Sequence, residues 1–366
     1  MKKKISIIGT VGIPAKYGGF ETLVENLTKN QGTNYDMVVY CSSKSYDIQL
    51  REHNQAKLKY INLKANGIQS ILYDIISIFK SLKGSSTLLI LGVSGCIVLP
   101  FVKLISINRI LVNIDGLEWK RDKWGCLAKW FLKYSEKIAV KYADKIITDN
   151  KVIQDYVKSE YGVNSHLIAY GADHVTEKPL DEKFLEKYPF TKNKYSFKVC
   201  RIEPENNIHI ILQAFSNLTE KNIVCVGNWL NSDYGKNLKK EYQNYKNIFL
   251  LDPIYDQKTL NQFRSNCSLY VHGHSAGGTN PSLVEAMYLK LPIYAFGINY
   301  NRETTANKAA YFKDVNELVL LLKNQDKDTL SSIAENMQTI AMERYLWSSV
   351  SKKYSNLFSN KKSTKI

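Results

Sequence analysis

A two-domain α/β protein is predicted by three observations. The chain has 366 residues, too long for one ordinary core. Short apolar runs of strand length alternate with helical segments along nearly all of it, the pattern of parallel sheets flanked by helices. A strand, a glycine loop and a helix start also occur twice, once near the N-terminus and once at residues 272–287, His-Gly-His-Ser-Ala-Gly-Gly-Thr-Asn-Pro-Ser-Leu-Val-Glu-Ala-Met.

Residues 5–9 form an apolar first strand, and Thr10–Phe20 is a loop of small residues ending in Tyr17-Gly18-Gly19-Phe20. Glu21–Lys29 is a helix, with Leu23, Val24 and Leu27 on one face. Strands are predicted at Met37–Cys41, Leu58–Leu63, Leu88–Leu91 and Ile110–Ile114, with an amphipathic helix over Ile68–Leu82. Asp115-Gly116-Leu117-Glu118-Trp119 stands at the end of the last of these strands. Ligands collect at the carboxyl ends of strands in open α/β sheets, so Asp115 and Glu118 are candidate ligand-binding or acid/base groups; a plain Asp-Gly turn is the alternative.

Trp119–Lys145 holds eight Lys or Arg against three acidic residues. Lys129, Lys133, Lys137, Lys141 and Lys145 recur every fourth residue, which on a helix makes one basic stripe. With Trp119, Trp124 and Trp130 at its start, the stripe suits an anionic membrane interface; a solvated helix face is the alternative.

Strands at Lys145–Thr148 and His166–Tyr170 complete a first domain over residues 1–172. Residues 173–195, with Pro179, Pro189, mixed charges and little periodicity, read as an interdomain linker. A second domain over 196–344 opens with the strand Ser196–Arg201, ending in a cation, and the loop Ile202–Asn207. It continues with a helix at Ile208–Leu218 and strands at Ile223–Gly227, Ile248–Leu251 and Cys267–Val271. Residues 345–358 read as an aromatic C-terminal helix and 359–366 as a disordered tail.

A net charge of +16 predicts attraction to something anionic: nucleic acid, an anionic membrane face or a phosphorylated substrate. No nucleic-acid-binding module is recognisable despite the charge and 24 tyrosines. Six scattered cysteines without a CxxC pair indicate neither a disulfide framework nor a zinc site, so a reducing cytoplasm is the natural setting. The apolar region Leu88–Leu111 is broken by Gly92, Gly95, Pro100, Lys103 and Arg109, and no run reaches the roughly 18–20 apolar residues of a spanning helix. The basic N-terminus runs straight into a strand and does not read as an export signal.

The 272–287 stretch carries the strongest chemical signal. Gly277 and Gly278 remove side chains where a ligand could approach backbone, Thr279 or Asn280 can cap the helix, and Pro281 suits its first position. A helix opened this way aims free N–H groups and its positive dipole end at the loop, which suits phosphate. Glu285, one turn in, could accept hydrogen bonds from sugar hydroxyls. An ordinary well-capped turn would have the same spacing. His272-Gly273-His274 lacks an evident third ligand for a metal.

Four motifs together, Pro14–Thr22, Asn113–Arg121, Arg201–Asn207 and 272–287, resemble those of the GT-B glycosyltransferases of family 4. More narrowly they resemble bacterial rhamnosyltransferases of capsule, O-antigen and cell-wall polysaccharide synthesis, which use dTDP-rhamnose. The resemblance covers nearly the whole chain. It implies two Rossmann-like domains facing across a cleft, with the C-terminal helix crossing back to the first. It implies that Gly18 and Gly19 approach the donor diphosphate, that Arg201 neutralises it, that Glu285 binds the nucleotide ribose, and that Gly278, Thr279 and Asn280 hold phosphate and sugar. Asp115 falls among acceptor-side groups.

Two positions depart from the family pattern. Gly277 stands where a glutamate is common and Asn206 where a lysine is usual, which leaves part of the polar role to His272 and His274. Arg201, Glu285 and Asp115 are therefore the expected catalytic residues. Donor contacts are expected from Asn206, His274, Gly277 and, near the base, Tyr255. Glu118, Trp119, Lys133, Lys137 and Lys141 are expected on the acceptor and membrane side.

The implied reaction is retaining transfer of L-rhamnose from dTDP-β-L-rhamnose to a polyprenyl-diphosphate-linked saccharide at the inner face of the plasma membrane. No metal or other cofactor and no nucleic-acid partner are expected. Alternatives are a UDP- or GDP-sugar donor, a GT-B nucleotide-sugar epimerase, or a basic nucleic-acid-binding protein.

Overall fold

The all-apolar runs of the first half form a parallel sheet because strands buried on both faces need no polar alternation. In the computed structural model, which describes residues 2–16, 18–121 and 124–359, the chain divides into two units. The first holds residues up to Tyr170 together with the chain from Trp347 onward, and the second Gly171–Leu346.

Unit 1 runs β1 (Lys4–Ile8), α1 (Gly19–Gln31), β2 (Asp36–Ser42), β3 (Glu52–His53), β4 (Ala56–Ile61), α2 (Gln69–Leu82), β5 (Thr87–Leu91), α3 (Leu99–Ile105), β6 (Arg109–Asn113), α4 (Cys126–Tyr142), β7 (Lys145–Thr148), α5 (Lys151–Tyr161) and β8 (His166–Leu167). Among the described residues the strands form one eight-stranded sheet in the order β3-β4-β2-β1-β5-β6-β7-β8, parallel except for β3 against β4. β5 and β6 are buried at every residue and lie at the centre of the core. The strand order reverses direction between β1 and β5, so the loop after β1 sits at the switch point. Steps from β4 to β5 and onward to β8 all run one way across the sheet. Right-handed crossovers therefore put α2, α3, α4 and α5 on one face and α1 on the other.

Unit 2 runs α6 (Glu182–Lys187), β9 (Tyr195–Val199), α7 (Ile208–Ser216), β10 (Asn222–Val226), α8 (Asp233–Tyr242), β11 (Ile248–Leu251), α9 (Gln257–Ser265), β12 (Leu269–His272), α10 (Pro281–Tyr288), β13 (Ile293–Phe296), α11 (Asn299–Thr304), β14 (Ala310–Phe312), α12 (Val315–Lys323) and α13 (Lys327–Arg344). Among the described residues its six-stranded parallel sheet has the order β11-β10-β9-β12-β13-β14, with the switch point between β9 and β12. The last helix, α14 (Trp347–Ser359), packs on α1 of unit 1. There Asn113 Nδ2 donates to Tyr354 Oη at 3.1 Å, and the rings of Tyr35 and Phe358 meet edge to face at 5.3 Å.

Several sequence expectations need correction. Residues 173–195 are not a free linker: Phe184 of α6 is buried against Phe263, their ring centroids 4.6 Å apart, and Tyr195 already belongs to β9. Proline and charge concealed this packing, because α6 is too short to show a periodic face. β9 ends at Val199, leaving Arg201 two residues beyond the strand. The C-terminal helix starts at Trp347, not 345, since Tyr345 is buried and its hydroxyl donates to Thr304 O at 2.9 Å. Ser359 is that helix's last residue; the rest of the expected tail, 360–366, lies outside the described residues, as do Tyr17, Asp122 and Lys123.

Candidate functional site

The chemistry in unit 2 gathers at the carboxyl ends of the adjacent strands β9 and β12. Pro204–Asn206 forms a single 3-10 turn after β9, and the loop after β12 is laced to it. Ser275 N–H donates to Glu205 O at 2.8 Å, Asn207 Nδ2 donates to Gly273 O at 2.8 Å, and Asn206 bonds through Oδ1 to His274 Nδ1 and through Nδ2 to Arg201 O at 2.8 Å. The backbones come so close that a Cβ on Gly273 would lie 2.3 Å from Asn206 O.

Asn206, which stands where the family pattern has lysine, is thus buried with both ends of its amide engaged. It ties the two loops together, with the amide oxygen on His274 and the amide nitrogen on Arg201 O, so the expected direct donor contact from Asn206 is not what its side chain makes here. Gly277 has φ +115°, and a Cβ there would lie 3.1 Å from His274 Nε2, so a side chain at this position would be strained. Asn301 Nδ2 braces the loop by donating to His274 O at 2.8 Å.

Asn280 is the cap of α10: its Oδ1 accepts from Ser282 N–H at 3.0 Å, and Pro281 takes the first helical position. Gly278 and Thr279 are buried just before it. Arg201 is exposed and makes no ion pair with a described residue, a free cation beside the helix-bearing loop. Tyr255 is exposed in the loop between β11 and α9.

Glu285 is nearly buried and doubly paired. Its Oε2 accepts from Arg264 Nη2 at 2.6 Å and its Oε1 faces His174 Nε2 at 3.1 Å. Burial alone would raise its pKa, but Arg264, then His174, outweigh it and hold the carboxyl below the usual range. Sequence reasoning misses both partners. Arg264 carries no local sequence signal of this role, and His174 falls in the expected linker. The arrangement lets Arg264 fix the orientation of the Glu285 carboxylate. Arg264→Lys is expected to keep the ion pair but lose the fixed planar geometry, lowering kcat about tenfold with little change in donor KM. Equal loss in Arg264→Lys and Arg264→Ala would reduce its role to stability.

His272, at the end of β12, is buried with no hydrogen-bond partner among the described residues on either ring nitrogen. Burial, then Lys198 and His274, hold its pKa well below the ordinary value, so it is a neutral packing group between Tyr270 and His274. No cluster of three metal-ligating side chains occurs among the described residues.

In unit 1 the loop after β1 is braced by two carboxylates of α1. Glu21, buried, accepts from Thr10 Oγ1 at 2.9 Å and Val11 N–H at 2.7 Å; Glu25 accepts from Ala15 N–H at 3.0 Å. Gly18 has φ +131°, and a Cβ there would lie 1.8 Å from Glu21 Oε2. Gly19 opens α1. Asp115 follows β6 in the left-handed region, φ +62°, with its N–H donating to Asn113 Oδ1 at 3.1 Å.

The other acceptor-side candidates are tied into structure. Glu118 pairs with Arg121 at 2.8 Å and accepts from Trp124 Nε1 at 3.0 Å, while Trp119 Nε1 donates to Glu136 Oε2 at 3.2 Å. Lys133 is half-buried, 2.8 Å from Glu160 and stacked over Trp119, so it does not continue an open stripe. α4 ends at Tyr142 and Lys145 starts β7, which leaves Lys137 and Lys141 as the exposed lysines of the last four in the expected stripe.

Residues 181–335 match the family glycosyl transferases group 1, and residues 2–173 match a domain of unknown function, DUF1972. No curated protein sequence matches the chain. Among solved structures it is similar to sucrose-phosphate synthase from Thermosynechococcus elongatus, at TM-score 0.79 and 14% identity over 98% of both chains. It is similar to Anabaena HepE in complex with UDP-glucose, at TM-score 0.77 and 15% identity over 98% of this chain and 100% of that one. A glycosyltransferase from Rickettsia africae matches at TM-score 0.72 and 14% identity over 98% of both. The match to the group 1 glycosyl transferases is confined to residues 181–335, and the two α/β units have the Rossmann-like GT-B fold of these structures.

Proposed function

We propose that the protein is a retaining glycosyltransferase that moves L-rhamnose from dTDP-β-L-rhamnose onto a polyprenyl-diphosphate-linked saccharide at the inner face of the plasma membrane. The observation that carries a nucleotide-sugar donor is the pairing, at the β9/β12 switch point, of unpaired Arg201 with the glycine loop and capped start of α10. Breaking the anomeric C–O bond builds negative charge on the leaving diphosphate. A guanidinium and a helix N-terminus both favour that charge, and one well-placed donor of this kind is worth about 3–4 kcal/mol. The acceptor hydroxyl proton passes to the departing phosphate oxygen, so no carboxylate nucleophile enters the scheme. Glu285, held ionised by Arg264 and His174, is suited to accept from sugar hydroxyls, and Asp115 serves the acceptor side.

Anabaena HepE is described in complex with UDP-glucose, so a UDP-sugar is the alternative donor. Incubation with dTDP-rhamnose, UDP-glucose or GDP-mannose and a polyprenyl-diphosphate N-acetylglucosamine acceptor separates them. Product from dTDP-rhamnose is expected; turnover only with a UDP- or GDP-sugar would reject rhamnose and keep the reaction class. Interconversion of the nucleotide sugar without acceptor would reveal an epimerase instead.

A further inference from the structure

We infer that the face of unit 1 formed by α2, α3 and α4 is a docking surface for an anionic lipid bilayer. The inference rests on the proposed lipid-linked acceptor for its biological setting, and it adds to Lys137 and Lys141 of the lysine stripe a set of exposed apolar residues. Large apolar side chains are exposed on this face where a solvated helix would carry polar ones. Leu104 is 83% exposed, Leu127 85% and Trp130 67%, with Phe101 and Leu72 also more than half exposed, and Ile107, in the connection just past α3, is 91% exposed.

Topology brings these residues together. The three helices lie side by side on one face of the sheet, α3 packs on α4, and the rings of Phe79 on α2 and Phe101 on α3 meet edge to face at 6.0 Å. On α4, Leu127, Trp130 and Tyr134 fall on one stripe, and the rings of Trp130 and Tyr134 stack with centroids 5.7 Å apart. Exposed apolar side chains gathered on neighbouring helices in this way mark an interaction site.

Charge decides the occupant. The three helices hold only two carboxylates between them, Asp74 and Glu136, and both are buried. Lys80, Lys137 and Lys141 are exposed on the same helices, and no acidic side chain there answers them. An apolar face with tryptophan, framed by lysines and free of exposed carboxylate, matches a leaflet of hydrocarbon beneath anionic headgroups. A second copy of a chain whose net charge is +16 would leave those lysines unmatched. No helix among the described residues is long and apolar enough to cross a membrane, so the contact is one of lying on the surface.

The test is flotation of the full chain with phosphatidylcholine vesicles with and without phosphatidylglycerol, using wild type, Leu104→Glu/Ile107→Glu and Leu127→Glu. Wild type is expected to float only with anionic vesicles, and each variant to bind at least about tenfold more weakly. Circular dichroism checks folding, since every substituted side chain is exposed. Variants that float like wild type would overturn the inference, as would a wild type that ignores vesicles and forms a dimer which the variants dissociate. Transfer from dTDP-rhamnose to a water-soluble short-chain acceptor is read in parallel. Flotation without transfer would sink the proposed reaction and leave the docking surface standing; transfer without flotation would do the reverse.

Discussion

Glu285→Ala is expected to abolish glycosyl transfer and to lower stability by about 3–5 kcal/mol, because it leaves Arg264 as a buried cation without its partner. Both effects come from one geometry: Arg264 is almost fully buried and lies 2.6 Å from the carboxylate. Because Glu285→Ala changes both fold and function, the informative variant is Glu285→Gln, which keeps shape and an acceptor oxygen for Arg264. Equilibrium urea titration should find Glu285→Gln folded, while transfer falls at least about 100-fold if the ionised carboxylate grips a sugar hydroxyl. Near-normal turnover in Glu285→Gln would remove the residue from the mechanism.

The same pair carries a pH dependence. Glu285 has its folded pKa below the ordinary carboxylate value, so its contribution to stability is complete above that value and is lost as pH falls through the depressed one. Urea midpoints measured between about pH 7 and pH 3 should fall less steeply in Glu285→Gln than in wild type.

Gly18→Ala is expected to cost about 1–3 kcal/mol from the backbone alone, since φ is +131° there, and more because the new methyl displaces the Glu21 carboxylate. Glu21 is not free to yield. Its other oxygen holds Thr10 and Val11, and moving it unfastens the loop at the β1/β5 switch point. Gly67 is the control, with φ +70° and nothing within 4 Å of an added Cβ. Gly67→Ala should show only the backbone cost, about 1 kcal/mol, and unchanged transfer. Urea titration of the two variants, with transfer measured on each, reads the difference; equal losses would mean that the Glu21 brace contributes nothing.

Much of this was legible in the residues. Strands β5, β6 and β12 announce themselves as short apolar runs, and Asn280-Pro281 announces the start of α10 by local cap chemistry alone. What failed to show was whatever depended on a distant partner. A five-lysine stripe requires one unbroken, solvated helix, and it broke where Glu160 reached Lys133 and where α4 ended before Lys145. Asn206 looked like a weakened lysine, but it is a tie between loops whose other half lies 68 positions away at His274.

Two α/β halves, their glycine loops and the capped helix at Asn280 were determined by the sequence itself, because periodicity and capping act over a few residues. Only the tertiary structure decided that Glu285 is gripped by Arg264 and His174, that residues 173–195 belong to unit 2, and that three helices gather their exposed apolar residues on one face. Those features depend on crossovers that bring remote segments together, and the charge of a side chain gives no hint of which partner the fold will set beside it.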